Sequence, residues 1–536
     1  MLCYYSTVIT SRQLHFSLFS NHRSITEVSR QTNPAPSTGL ASLTLMDLVL
    51  ALDAGTTGVR AVAYSPTTEA VATAYRELTQ YFPEPGQIEH DAAEIAALSV
   101  ETLREVAHEL HARGDRVVAV GIANQRETTV AFDRERATPL HRALVWQDRR
   151  TAPQCDALRL AGHEPRIRAT TGLVIDPYFA ATKMAWLLER GVLDGALAPT
   201  LGTIDTWLLW WLSGNVESGV LATEPSNAAR TLLMDLNTLD WSPTMASIFG
   251  VPLGLLAPIR PSASNFGFID RSVLPELAGV PVSAMLGDQQ AALFGQAGFS
   301  AGVVKATYGT GAFVMANAGT SIPDVVDGLL TTVAWDLGAF GPATYALEGS
   351  AFVAGAAIQW LRDELHVIAA SSDLEPLARR VEDSAGVQVV PAFTGLGSPF
   401  WRPDARGSIV GLSQATGRAH IARALVEAIA HQVRAMFDAF ASSGLVLREL
   451  RADGGASSMD LLLELQAAGC RVPVVRSASL EATARGAGTL AGLSGGLWPS
   501  LESLEDEWRS DRRFEPSEPS TIDNAYRSWL RAVERA

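Results

Sequence analysis

The sequence predicts an α/β protein of two duplicated halves with a cleft between them, and three observations carry that prediction. The chain has 536 residues, more than one hydrophobic core supports. Continuous apolar runs of strand length, such as Leu48-Val49-Leu50-Ala51-Leu52, alternate with longer stretches at helical spacing. The same local pattern, a buried strand, a Gly/Thr turn and a second strand, occurs just after Met46 and again after Gly302. The expected units are 46–298 and 299–536.

Composition narrows the function. With 47% hydrophobic and 18% charged residues the chain is of ordinary globular type. Its 42 basic and 57 acidic residues give a formal charge of −15, and no basic run is present to follow a nucleic-acid backbone, so nucleic acid is not an expected partner. Cys3, Cys155 and Cys470 lack metal-type spacing, which suits a reducing compartment such as the cytoplasm and argues against zinc. No apolar run approaches the roughly 18 to 20 residues that span a bilayer, so the chain is not expected to be membrane-embedded.

Residues 1–45 differ from the rest, being rich in Ser and Thr, with Arg12, Arg23 and Arg30 and a single acidic residue, Glu27. They read either as an organellar transit peptide or as the product of a misplaced start upstream of Met46. The second is the simpler, because the first strand begins directly after Met46. Disorder is expected on both readings.

In the first unit, Leu48–Leu52 ends at Asp53-Ala54-Gly55-Thr56-Thr57-Gly58, and Arg60–Tyr64 resumes as a second strand. Such a hairpin wraps a terminal phosphate with N–H groups and hydroxyls, and Asp53 is placed to hold Mg²⁺ through water; an ordinary turn is the plainer alternative. Glu69–Gln80 reads as a third strand, and a helix from His90-Asp91 to Arg113 starts with Asp91 as cap and Glu94 completing a capping-box pattern. Val117–Ala123 is another buried strand. At its end stand Arg126 and Glu127, placed to hydrogen-bond a small polyol or, alternatively, a surface ion pair. Trp146 and Tyr178 close apolar segments, where an aromatic is more often core than ligand wall.

Val282–Leu286 then reaches Gly287 and Asp288-Gln289-Gln290 at a strand-to-helix turn. An Asp there is either an N-cap or a base. The second unit repeats the opening pattern with Thr307-Tyr308-Gly309-Thr310-Gly311 and a strand at Phe313–Ala316. Strands follow near Gly328–Trp335 and Ala343–Leu347, and Glu348-Gly349-Ser350 is expected to open an apolar helix through Gly355, Gln359 and Trp360. A helix at His420–Phe440, a strand at Leu450–Ala452 ending in Asp453-Gly454-Gly455, a helix with Ala484–Leu493 and a closing helix from Ile522 complete the chain. One carboxylate and two facing phosphate hairpins are the parts that phosphoryl transfer to an alcohol requires.

Three loops in the order Asp-x-Gly-Thr-Thr, Thr-Tyr-Gly-Thr-Gly and Asp-Gly-Gly, each after a strand, resemble the actin-like ATPase superfamily, whose halves are ribonuclease H-like. Within it the chain is similar to the FGGY carbohydrate kinases. NQRETT at 124–129, TGLVIDPYF at 171–179, GDQQAALFGQ at 287–296, TYGTG at 307–311, IQWLRDE at 358–364 and PAFTGLGSPFW at 391–401 resemble the glycerol kinases of that family. The resemblance runs from Met46 to about Ala491.

The resemblance implies ATP- and Mg²⁺-dependent phosphorylation of glycerol to sn-glycerol 3-phosphate in a closing cleft. It implies that glycerol is held by Arg126, Glu127, Tyr178, Asp288 and Gln289, with Trp146 and Phe313 walling the carbon face and Asp288 as general base. It further implies phosphate contacts from Thr56, Thr57 and Arg60 beside Gly58, Mg²⁺ positioned by Asp53, a second phosphate loop at Thr310 and Gly311, and a nucleotide pocket lined by Gly355, Gln359, Gly455 and Met459. A homo-oligomer, dimer or tetramer, is expected on the same ground.

The chain departs from the family pattern at Ala54 for Gln, Gly58 for Ser, Met459 for Asn and Arg485 for Leu. Leu277–Pro281 lacks the Gly-Gly-Thr-Arg run that binds fructose 1,6-bisphosphate in enterobacterial members, so inhibition by that sugar phosphate is not expected. Two other readings stand beside the first: an FGGY kinase for another polyol or ketose, and a nucleotide-binding scaffold without catalysis.

Overall fold

The unbroken apolar run after Met46 can be satisfied only by burial on both faces, and it forms the centre of the first sheet. In this computed structural model the described residues are 45–536 apart from 480, 518 and 519; the two readings of residues 1–45 fall outside them except at Leu45. β1 (Asp47–Ala54) and β2 (Gly58–Tyr64) are antiparallel and closed by a turn in which Gly55 N donates to Gly58 O at 3.0 Å. β3 (Ala70–Glu77) continues antiparallel to β2, and helix α1 (Ala92–Arg113) leads to β4 (Arg116–Asn124), parallel to β1. β5 (Val282–Gly287) lies parallel to β4, giving a five-stranded sheet in the order β3-β2-β1-β4-β5.

Asp91 caps α1, accepting from the N–H groups of Ala93 and Glu94. The expected capping box is not formed. Glu94 turns outward and accepts from the Thr79 N–H and hydroxyl at 3.3 and 2.8 Å, because the chain leaving β3 brings those two donors within reach.

Helix α2 (Asp288–Gly295) follows β5 and leads to the second sheet. β6 (Val303–Tyr308) and β7 (Ala312–Gly319) form the second Gly/Thr hairpin, and β8 (Leu330–Trp335) and β9 (Thr344–Ala351) extend the antiparallel side. After helices α3 (Gly355–Asp363) and α4 (Arg418–Ser442), β10 (Glu449–Asp453) and β11 (Val474–Ser477) add in parallel to β6. Helix α5 (Ala482–Ser494) and the antiparallel edge strand β12 (Ser510–Phe514) follow. The order is β8-β9-β7-β6-β10-β11-β12, and its inner five strands repeat the first sheet in order and direction. The fold is therefore α/β with duplicated halves, as the repeated hairpins predict.

One expected element is different. Glu348-Gly349-Ser350 does not open a helix: β9 continues through Ala351, with Glu348 opposite both Met315 and Leu330, and the helix starts at Gly355. The place a side chain at Gly349 would occupy is filled by Met436 of α4, so glycine here serves sheet-to-helix packing.

The halves meet through α5. Gly486 of α5 sits against Ala291 and Gly295 of α2, and Gly121 of β4 sits against Ala487, so backbones touch where any side chain would hold them apart. Around this crossing Val49, Ala51, Tyr64, Phe294, Trp335, Ala484 and Leu490 share one buried cluster. Arg485 is part of the joint. Its guanidinium donates to Gly295 O, to Thr68 Oγ1 at 3.1 Å and to Glu507 O at 3.4 Å, which gives this departure from the family pattern a structural role.

Candidate active site

Asp288 stands at the carboxyl end of β5, where the chain turns into α2. The N-cap position belongs to Gly287, so the capping explanation of Asp288 does not hold; its Oδ1 accepts from its neighbour's N–H at 2.8 Å and lies 3.2 Å from Arg126 Nε. Gln289 is beside it, its Nε2 3.4 Å from Asp288 Oδ2. Trp146 of the first half packs edge-to-face on Tyr178 and on Phe313 of the second, with ring centroids 5.4 and 6.2 Å apart. Arg126, with its Nη2 3.2 Å from the Tyr178 hydroxyl and its Nε 3.2 Å from Asp288, links these segments.

Arg126 and Glu127 are not a surface pair. Each is 2% exposed, and both belong to a buried network with Arg230 and Glu348. Arg126 donates through Nη1 and Nη2 to the two oxygens of Glu348 at 2.6 and 2.9 Å, and through Nη2 to the Tyr178 hydroxyl at 3.2 Å. Arg230 Nε donates to Glu127 Oε1 at 2.6 Å. Burial alone would raise the Glu348 carboxyl, but Arg126 and Arg230 hold it down at about 2. For Asp288 burial wins: its carboxyl is raised above the ordinary value, with Arg126 and Lys305 opposing and Glu127 adding to the rise.

The first hairpin is braced from the polyol side. Trp146 Nε1 donates to Thr56 Oγ1 at 2.8 Å, and Gln80 Nε2 to Thr56 O at 2.8 Å, while Thr57 is exposed at the tip. Arg60 is paired with Glu481, which precedes α5, and lies over the Tyr75 ring. A Cβ on Gly58 would meet the Tyr75 hydroxyl and, at 2.5 Å, the Arg76 carbonyl oxygen, so the missing serine hydroxyl is matched by close packing of β3. Asp53 ends β1 opposite Arg60; burial pushes its carboxyl up to about 7, Asp288 adds to the rise, and Arg60 opposes it.

At the second hairpin the start of α3 closes on the turn, with Gly355 N donating to Gly309 O at 2.9 Å and Ala354 and Ala356 N to Thr310 O at 2.8 and 3.0 Å. Gly454, at φ 83°, packs on the Tyr308 backbone, a conformation and an approach that both require glycine. Thr310, Gln359 and Gly455 are exposed around this junction and Gly311 is buried in it. The Met459 side chain is 7% exposed and packs against the core of the second half.

Two family models match the chain: the N-terminal domain of the FGGY family of carbohydrate kinases over residues 48–295, and the C-terminal domain of the same family over residues 304–495. The chain belongs to the FGGY family of carbohydrate kinases. Among FGGY relatives it is 47% identical over 496 residues to a glycerol kinase of Myxococcus xanthus (91% of this chain, 99% of that one). It is 49% identical over 499 residues to a glycerol kinase of Thermus brockianus (92% and 99%). The crystal structure of Plasmodium falciparum glycerol kinase with ADP superposes with a TM-score of 0.85 at 34% identity, covering 91% of this chain and 98% of that one.

As an FGGY kinase the chain is a transferase that uses ATP, and the residues that sequence reasoning missed can now be named. Lys305 is buried in β6, with Nζ 2.5 Å from Gln289 Oε1 and 3.1 Å from Thr307 Oγ1. Lys183 donates to the carbonyls of Pro177, Tyr178 and Phe179 at 2.9, 2.8 and 3.0 Å, fixing the loop that presents Tyr178. Arg230 and Glu348 complete the set. Each is a lone charge inside an apolar segment, and that was the signal available: such a group must find a partner in the fold. Among the described residues no three or more His, Cys, Asp or Glu side chains are grouped to hold a metal ion.

Proposed function

We propose that the chain transfers the terminal phosphoryl group of ATP to a primary hydroxyl of glycerol, giving sn-glycerol 3-phosphate and ADP. The observation that carries this reading is Asp288 held 3.2 Å from the Nε of Arg126, whose Nη2 donates to Tyr178 in an aromatic group with Trp146 and Phe313. A three-carbon triol has hydroxyls for Arg126, Glu127, Tyr178 and Gln289 and one carbon edge for the rings. Relatives of nearly the same length that carry the name glycerol kinase support the small substrate.

Asp288 takes the proton of the attacking hydroxyl at its carboxylate, and its raised pKa makes it a better acceptor than an exposed carboxylate. The phosphate chain is held by N–H groups and hydroxyls of Thr56, Thr57 and Gly58 on one side and Thr310 and Gly311 on the other, with Arg60 adjacent. Gly355, Gln359 and Gly455 receive the nucleotide, and the helix that follows Met459 supports them from the core. Mg²⁺ bound beside Asp53 would neutralise charge on the phosphate oxygens. Closure of the cleft keeps water from the phosphoryl group.

We also assign the glycerol end to residues 46–298 and the nucleotide end to 299–536, and place the enzyme in the cytoplasm as a homo-oligomer. Among the described residues no helix is long and apolar enough to cross a membrane, and Cys155 and Cys470 are free thiols. The test is steady-state turnover with Mg-ATP on glycerol, dihydroxyacetone, erythritol and xylulose. Preference for glycerol is expected; a larger polyol turned over faster would reassign the pocket, and ATP binding without turnover of any would favour a scaffold.

A further inference from the structure

Arg126 spends both terminal nitrogens on partners other than a substrate. Nη1 goes to Glu348 Oε2 at 2.6 Å and Gln290 Oε1 at 3.3 Å; Nη2 goes to Glu348 Oε1 at 2.9 Å and the Tyr178 hydroxyl at 3.2 Å. The Nε edge is left facing Asp288. A two-point carboxylate contact fixes the plane of a guanidinium as well as its position, so Glu348 decides which edge of Arg126 the pocket sees.

Glu348 comes from the other half of the chain. It sits in the middle of β9, 1% exposed, and its hydrogen-bond partners are Arg126 and Arg230 of the first half. Arg230, fully buried, joins the corners: Nε on Glu127, Nη1 3.2 Å from Glu348 Oε2, and the guanidinium 5.3 and 5.1 Å from the Tyr178 and Phe179 ring centroids. Two guanidinium groups thus share two carboxylates, each half supplying part of the set.

We propose that Glu348, backed by Arg230, is a positioning residue of the polyol site, so that this site is complete only when the half carrying the nucleotide hairpin is apposed to the half carrying Arg126. Without the Glu348 charge, Arg126 and Arg230 have buried Glu127 and the partly exposed Asp288 as their remaining counter-ions, and Arg126 moves onto Asp288. Glycerol then loses its Arg126 contact, while the hairpin at Thr307–Gly311 and the start of α3 keep theirs. The inference rests on the proposed polyol site, and wild-type turnover of glycerol tests that reading separately.

The experiment compares wild type, Glu348→Gln and Glu348→Asp for KM of glycerol, KM of ATP, kcat, and the shift in Tm produced by glycerol or by ATP alone. Glu348→Gln is expected to raise the glycerol KM by about tenfold to hundredfold, the scale of misplacing one binding group by about an ångström, with the ATP KM within about twofold. Its Tm should respond to ATP and no longer to glycerol. Glu348→Asp keeps the charge and should recover part of the glycerol affinity. If Glu348→Gln does not fold, the same split is read on Glu348→Asp. A folded variant with an unchanged glycerol KM, or one in which both KM values rise together, overturns the proposal.

Discussion

Lys305 Nζ lies 2.5 Å from Gln289 Oε1, so a cation on the central strand of the second sheet is tied directly to the residue that follows Asp288 in the first half. The same nitrogen reaches Thr307 Oγ1 at the root of the second phosphate hairpin. The segments proposed to bind glycerol and phosphate are therefore held to one another through a single side chain.

That tie sets a pH dependence. Burial lowers the Lys305 ammonium from its ordinary 10.5 to about 8, with Asp453, Asp288 and Glu348 opposing. A base lowered in the fold loses its charge as pH rises through the lowered value, so the rate should fall on the alkaline side near pH 8. On the acid side Asp288, whose carboxyl burial raises, must stay ionised, so the rate should fall as pH drops at a higher pH than for an exposed aspartate. Lys305→Met should remove the alkaline limb and cost kcat about tenfold to hundredfold. A pH profile of kcat for both proteins checks this; an alkaline limb unchanged in the variant would refute it.

Lys183 is predicted to matter through Tyr178 and not through charge. Lys183→Met removes the ammonium that donates to the three carbonyls of Pro177, Tyr178 and Phe179, a loss on the order of 3 kcal/mol. Denaturant unfolding should show that loss, and the glycerol KM should rise more than the ATP KM as the loop carrying Tyr178 loosens.

The crossing of α5 on α2 gives a third prediction. Gly486→Val places a side chain where Ala291 and Gly295 backbone atoms now sit, and such overpacking costs typically about 1–3 kcal/mol. Because the crossing joins the halves, activity should fall at temperatures where the variant is still folded, measurable as lost turnover below an unfolding transition that has itself shifted down.

How much of this was legible follows from what each residue must satisfy locally. Leu48–Leu52 and Val303–Ala306 announce buried strands, and Gly/Thr turns after them announce hairpins, because apolar runs and turn residues act within a few positions of chain. Asp288 and Arg126 stand just past strand ends, and Tyr178 stands in the loop between two helices, each beside a recognisable motif. Glu348 was read as a helix opening because a charge followed by Gly and Ser is what a cap looks like; its true partner is 222 residues away, where no local rule reaches. Met459 packs against the second core, as an unbranched apolar side chain beside it does, and its neighbours there come from distant parts of the chain. Arg485 explains itself only once Gly295, Thr68 and Glu507 are seen around it.

The central claim is that Asp288 is the base that activates glycerol, and single-turnover transfer from Mg-ATP by Asp288→Asn tests it most directly. The account predicts a fall in rate of about 10²–10⁴-fold with ATP affinity unchanged, since the amide keeps the shape and loses the proton acceptor. Transfer by the variant within a few-fold of wild type would contradict it.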